Sequence, residues 1–121
     1  MSAKIASVEG DIITIEVAGK LTQPELAAVQ KAAAAILQKQ GRMRLLVVTQ
    51  NFQGWERGGA WGDLSFQSAN DSKIVKLALV GDKQWEDLAL MFVAVGLRRF
   101  PIQFFQPVQL AEAKAWLAAN P

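Results

Sequence analysis

Asp63, two residues beyond Trp61, and Asp82, at the end of an apolar run, are the carboxylates best placed to handle a proton. An indole neighbour disfavours the ionised form of a carboxyl, which is how a general acid is made. No second carboxylate falls at a spacing that would pair with either one. Asp82 therefore reads as a helix N-cap and Asp63 as a solvated or capping carboxylate. The chain contains no histidine and no cysteine, and it also lacks tyrosine. Ser-His-Asp and Cys-His nucleophile systems, disulfides and the usual zinc ligand sets are excluded. Gly58, Gly59 and Gly62 do not form a phosphate loop, because no GxxxxGK[ST] or GxGxxG pattern follows a strand. The expectation is a non-enzymatic protein with no cofactor and no metal. An enzyme restricted to carboxylate, lysine or hydroxyl chemistry is the weaker alternative.

Two apolar constellations offer binding instead of catalysis. The first is aromatic: Phe52, Trp55, Trp61 and Phe66, with Trp85 returning to the same end of the fold. These side chains either close the top of a sheet or form a ligand or partner surface at the carboxyl ends of parallel strands, where open α/β sheets bind ligands. The second is the unbroken apolar run from Leu88 to Val95. In a helix, Trp85, Leu88, Phe92 and Val95 make one face, and Leu90, Met91, Ala94 and Leu97 make another. A helix apolar around most of its girth needs more than one cover. Leu90, Met91, Ala94 and Leu97 then serve as core, as a homodimer interface, or as the wall of a pocket for an acyl or other apolar ligand.

The elements that would position these residues follow from periodicity. Lys4 to Val8 is a strand, Glu9, Gly10 and Asp11 a turn, and Ile12 to Val17 a second strand with Ile13, Ile15 and Val17 on one face. A helix follows with Thr22 and Glu25 as a capping box, Leu21 and Leu26 as a staple, and Pro24 in the first turn. Leu26, Val29, Ala33, Ile36 and Leu37 mark its buried face, and Gly41 its left-handed stop. Arg44 to Thr49 and Ile74 to Val80 read as strands covered on both sides. A second helix is expected over about 59–69 and a third over 83–95, the latter capped by Asp82. Ile102 to Phe105 is the last strand. A final helix runs from Gln109 to Ala119, burying Leu110, Ala113, Trp116 and Leu117. The order ββαβαβαβα predicts an α/β fold: a mostly parallel five-stranded sheet with four helices.

Length and charge agree with one domain over residues 1–121. The chain has 121 residues and a formal net charge of +2. Lys39, Arg42 and Arg44, and Arg98 with Arg99, are small solvated clusters, too few for a nucleic-acid stripe. The N-terminus lacks a signal-peptide core, and no apolar run reaches the roughly 20 residues of a membrane span. A soluble, cytoplasmic protein is expected.

The element order, with Phe52, Gly54 and Trp55, then Trp61, Asp63, Leu64 and Phe66, then Leu77 to Lys83 and Trp85, then Phe104, Phe105 and Ala115 to Leu117, resembles the SpoIIAA-like, STAS-type family across nearly the whole chain. The resemblance implies a module that binds a protein partner. In STAS domains of the anti-anti-sigma kind, that partner is a kinase, and a serine after the third strand is phosphorylated. The matching segment here, Thr49 to Gly54, has no serine, so the phospho-switch does not carry over. Thr49 is its lone hydroxyl and belongs to the strand. The broad fold also resembles Sec14-type lipid carriers. The resemblance thus leaves two readings open: an interaction module, as a homodimer or with another protein, and a carrier of a small apolar ligand.

Overall fold

In a computed structural model of the chain, the residues described are 3–20, 22–51, 53–54, 73–86 and 100–119. Five strands form one sheet: β1 (Ala3–Glu9), β2 (Ile12–Ala18), β3 (Met43–Gln50), β4 (Ile74–Val80) and β5 (Ile102–Phe105). They lie side by side in chain order. β1 and β2 are antiparallel, and the pairings β2–β3, β3–β4 and β4–β5 are parallel. The sheet is therefore mixed. The hairpin is too short to cross over, whereas every later strand is separated from its predecessor by enough chain for a parallel return.

Two α-helices occur among the described residues, against the four expected. α1 spans Gln23–Gln40, and α2, the final helix, spans Leu110–Ala118. The expected second helix, 59–69, lies outside the described residues. So does most of the third. Its opening is described, and there the chain makes a 3₁₀ turn at Lys83–Trp85. The Trp85 N–H donates to the Asp82 carbonyl at 2.9 Å. Asp82 occupies the N-cap position, but its side chain makes no capping hydrogen bond. The capping role expected of that carboxylate is thus corrected: the backbone carbonyl closes a tight turn of the kind common at helix ends. The final helix, Leu110–Ala118, lies within one residue of the expected bounds at each end. Pro107–Gln109 form a 3₁₀ turn, held where the Gln106 N–H donates to Oε1 of Gln109 at 2.9 Å.

α1 is built by its ends and its stripe. The Thr22 hydroxyl accepts from the Glu25 N–H at 3.4 Å, and the Gly41 N–H donates to the Leu37 carbonyl at 2.8 Å. Gly41 has φ +86° and ψ −135°, so the stop uses positive φ but not the left-handed helical well expected. Leu21 lies outside the described residues. Thr22→Ala removes a long cap bond and is expected to lower stability by about 0.5–1 kcal/mol. Thr22→Ser should retain most of it, as read from urea midpoints.

The sheet carries a core on each face. On one, Ile13, Ile15, Val17, Leu45, Leu77 and Leu79 pack with Val29 and Leu37 of α1 and with Met43 and Phe100. On the other, Leu46, Ala78, Val80 and Phe105 pack with Ala113 and Leu117 of α2. Leu110 and Trp116 pack at the margin of this second core. The buried stripe expected of the final helix is the observed one. At the amino end of the parallel strands, Arg44 ties the hairpin turn to β3. Its guanidinium pairs with the Asp11 carboxylate, and its N–H donates to the Asp11 carbonyl at 2.7 Å. Lys39 and Arg42 stand in solvent, and Arg98 and Arg99 lie outside the described residues.

Candidate functional site

The carboxyl ends of β2, β3, β4 and β5 share one edge of the sheet, because these strands are mutually parallel. Chain exits along this edge decide where a crevice can form. After β4 the chain turns through Lys83–Trp85, and Trp85 packs against the core on the α1 face. After β5 it turns through Pro107–Gln109 into α2, on the opposite face. As far as they are described, the continuations of two adjacent parallel strands thus set out toward opposite sides. In open α/β sheets, that divergence is what leaves a binding crevice at the carboxyl edge.

The floor between the two exits is tightly built. The Gly81 N–H donates to the Phe105 carbonyl at 3.0 Å. The Thr49 hydroxyl donates to the Val80 carbonyl at 2.9 Å. A Cβ placed on Gly81 would stand 2.4 Å from Oγ1 of Thr49 and 3.8 Å from Cε2 of Phe104. Glycine is thus required here by close approach and not by a special backbone angle. Beside this floor, the turn after β3 is pinned to the end of β2, the Gln53 N–H donating to the Gly19 carbonyl at 2.9 Å. Asn51 turns that corner at φ +50°, a conformation asparagine tolerates better than most residues. Gly54, buried, lies on the Trp85 ring: a Cβ there would be 3.6 Å from Cη2. The rim carries both charge signs. Asp82, Lys83 and Lys20 are exposed, Glu86 is half-buried, and Gln84 and Gln106 add neutral amides.

This arrangement supplies hydrogen-bonding groups on a fixed backbone. The Thr49 hydroxyl spends its proton on Val80 and sits within β3, as expected of it. Among the described residues, no three carboxylates gather where they could hold a metal ion.

The residues expected to line a ligand or partner surface are Phe52, Trp55, Trp61, Phe66, Leu90, Met91, Ala94 and Leu97. All lie outside the described residues, as does Asp63. The structure pairs instead Thr49 with Gly81 and Gly54 with Trp85. Gly54, Gly81 and Trp85 belong to the motifs that carry the resemblance, but the Thr49–Gly81 and Gly54–Trp85 pairings have no sequence signal, since each joins segments about 30 residues apart. Lys76 also escaped sequence reasoning. The available clue was one cation inside the apolar run Ile74 to Val80.

The model of the SpoIIAA-like family matches residues 12–118. The chain belongs to the SpoIIAA-like family. A crystal structure of an uncharacterized protein from the DUF3478 family of Shewanella loihica PV-4, described as having a SpoIIAA-like fold, is similar to it, with a TM-score of 0.72 and 20% sequence identity. The alignment covers 96% of this chain and 92% of that one. At that identity the likeness speaks for the fold. No curated protein matches the chain. No helix among the described residues is long and apolar enough to cross a membrane.

Proposed function

We propose that this SpoIIAA-like chain is a non-enzymatic, cytoplasmic binding module that engages a second protein surface, its own copy included, at the carboxyl edge of its parallel strands. The observation that carries the reading is the divergence of the chain after β4 and β5, which leaves Gly81, Asp82 and Gln106 between two exits on opposite faces. The hydrogen bonds from Gln53 and Thr49 hold the neighbouring backbone in place. A preorganised surface loses less entropy on binding. The apolar run from Leu88 to Val95 supports a homodimer, since a helix of that sequence would be apolar around most of its girth and need more than one cover.

Native mass spectrometry of the purified chain, followed by denaturing mass analysis, tests the proposal. A dimer of bare chain mass is the expected result. Met91→Glu should then give a soluble monomer with unchanged far-UV circular dichroism. A buried unpaired charge costs about 3 kcal/mol or more, over a hundredfold in dimer Kd. A dimer that persists in Met91→Glu with the fold intact removes the Leu88 to Val95 run as the interface. An added mass lost on denaturation would replace this reading with the carrier of an acyl or lipid-like ligand.

A further inference from the structure

Lys76 is only 4% exposed, in the middle of β4. It points to the α2 face, and its ammonium makes two hydrogen bonds there. Nζ donates to the Trp116 carbonyl at 2.8 Å and to the Ala119 carbonyl at 3.1 Å. It also stands 4.6 Å from the centre of the Trp116 ring. The last carbonyls of a helix have no partners within it, and they carry the negative end of its dipole. The ammonium therefore sits where a cation best serves α2, and the indole face adds a cation–π contact. Among the described residues, the rest of its attachment is Ala113 and Leu117, fully buried, with Leu110 and Trp116 at the margin and the Trp116 ring 5.9 Å from that of Phe105. α2 has nine residues. An isolated helix of that length is not stable in water, so its helicity depends on being docked.

We propose that α2 is a strap held shut by the Lys76 ammonium, which opens as a unit while the sheet stays folded. Opening uncovers the apolar strip of Leu46, Ala78, Val80 and Phe105. The clasp is a single charged group on backbone carbonyls and a ring, so the strap is released by loss of one side chain. Neither the strap nor its clasp depends on what binds the carboxyl edge.

Native-state hydrogen exchange of the wild-type chain in increasing urea tests this. Segments that open separately do so at lower cost and with weaker urea dependence than global unfolding. Amides of residues 114–118 are expected to show that behaviour, with β3 and β4 amides following the global transition. In Lys76→Met, which keeps the apolar stem, the helix amides should exchange at least tenfold faster and the strand amides within twofold of wild type. Equal acceleration of helix and strand amides, or no acceleration of the helix, overturns the clasp. A single urea dependence shared by α2, β3 and β4 in the wild-type chain overturns the strap, whether or not the variant folds.

Discussion

Gly81→Ala is expected to lower stability by about 1–3 kcal/mol, the usual cost of overpacking a filled site, and Thr49→Ala in the same chain to restore most of that loss. The added methyl would meet Oγ1 of Thr49 at 2.4 Å, far inside contact distance. Thr49 cannot turn away freely, because its hydroxyl is bonded to the Val80 carbonyl. Gly81 does not sit at positive φ, so alanine is compatible with its backbone. The narrowed unfolded ensemble would then favour the variant by about 0.4–1 kcal/mol. The steric term is larger, and the net sign is a loss. Thr49→Ala alone should cost about 0.5–1.5 kcal/mol for the hydrogen bond. The two changes should therefore be strongly non-additive, with a coupling between about 0.5 and 3 kcal/mol in urea denaturation. Thr49→Val keeps the branch that blocks the methyl and should rescue nothing. If Gly81→Ala costs the same in the Thr49→Ala background, the close approach is not what requires glycine.

The largest single loss is expected from Leu37→Ala, about 2–5 kcal/mol. Leu37 is fully buried in the core that α1 shares with the sheet. Alanine is the best helix former, so the substitution leaves helix propensity intact and isolates the packing term. Against a total stability of about 5–15 kcal/mol, a loss of this size is a large fraction of what holds the domain folded. Gln38→Ala, one position along and exposed, should stay within about 0.5 kcal/mol of wild type. Similar midpoint shifts for the two variants in urea would mean that the stripe of α1 does not seat it on the sheet.

The contrast between Leu37 and Gln38 marks how far local pattern reaches. Strand β2 was legible because Ile13, Ile15 and Val17 alternate with Thr14 and Glu16, and the structure buries the first three. β4 was legible as a run apolar on both sides, and cores do cover both of its faces. Thr22, Pro24 and Gly41 announced the ends of α1, as caps act through neighbours within one turn. Asp82 shows where such reasoning fails. Its residue type and place suited a cap, but a 3₁₀ turn at Lys83–Trp85 used its carbonyl and left the carboxylate out. The aromatic group at Phe52, Trp55, Trp61 and Phe66 was legible as a candidate surface, and its placement lies outside the described residues.

Sequence alone was sufficient for the five strands, for α1 and α2, for their order and for their buried faces, but not for the 3₁₀ turns at Lys83–Trp85 and Pro107–Gln109. Periodicity and capping are short-range, carried by residues within a few positions of one another. The tertiary structure decided that the strands lie in chain order, that Trp85 and α2 leave the carboxyl edge toward opposite faces, that Gly81 must make room for Thr49, and that a lysine in β4 clasps the end of the last helix. Each of these joins segments roughly 30 to 43 residues apart or depends on which face a segment chooses. Such choices are made by packing of the whole chain, and no window of sequence contains them.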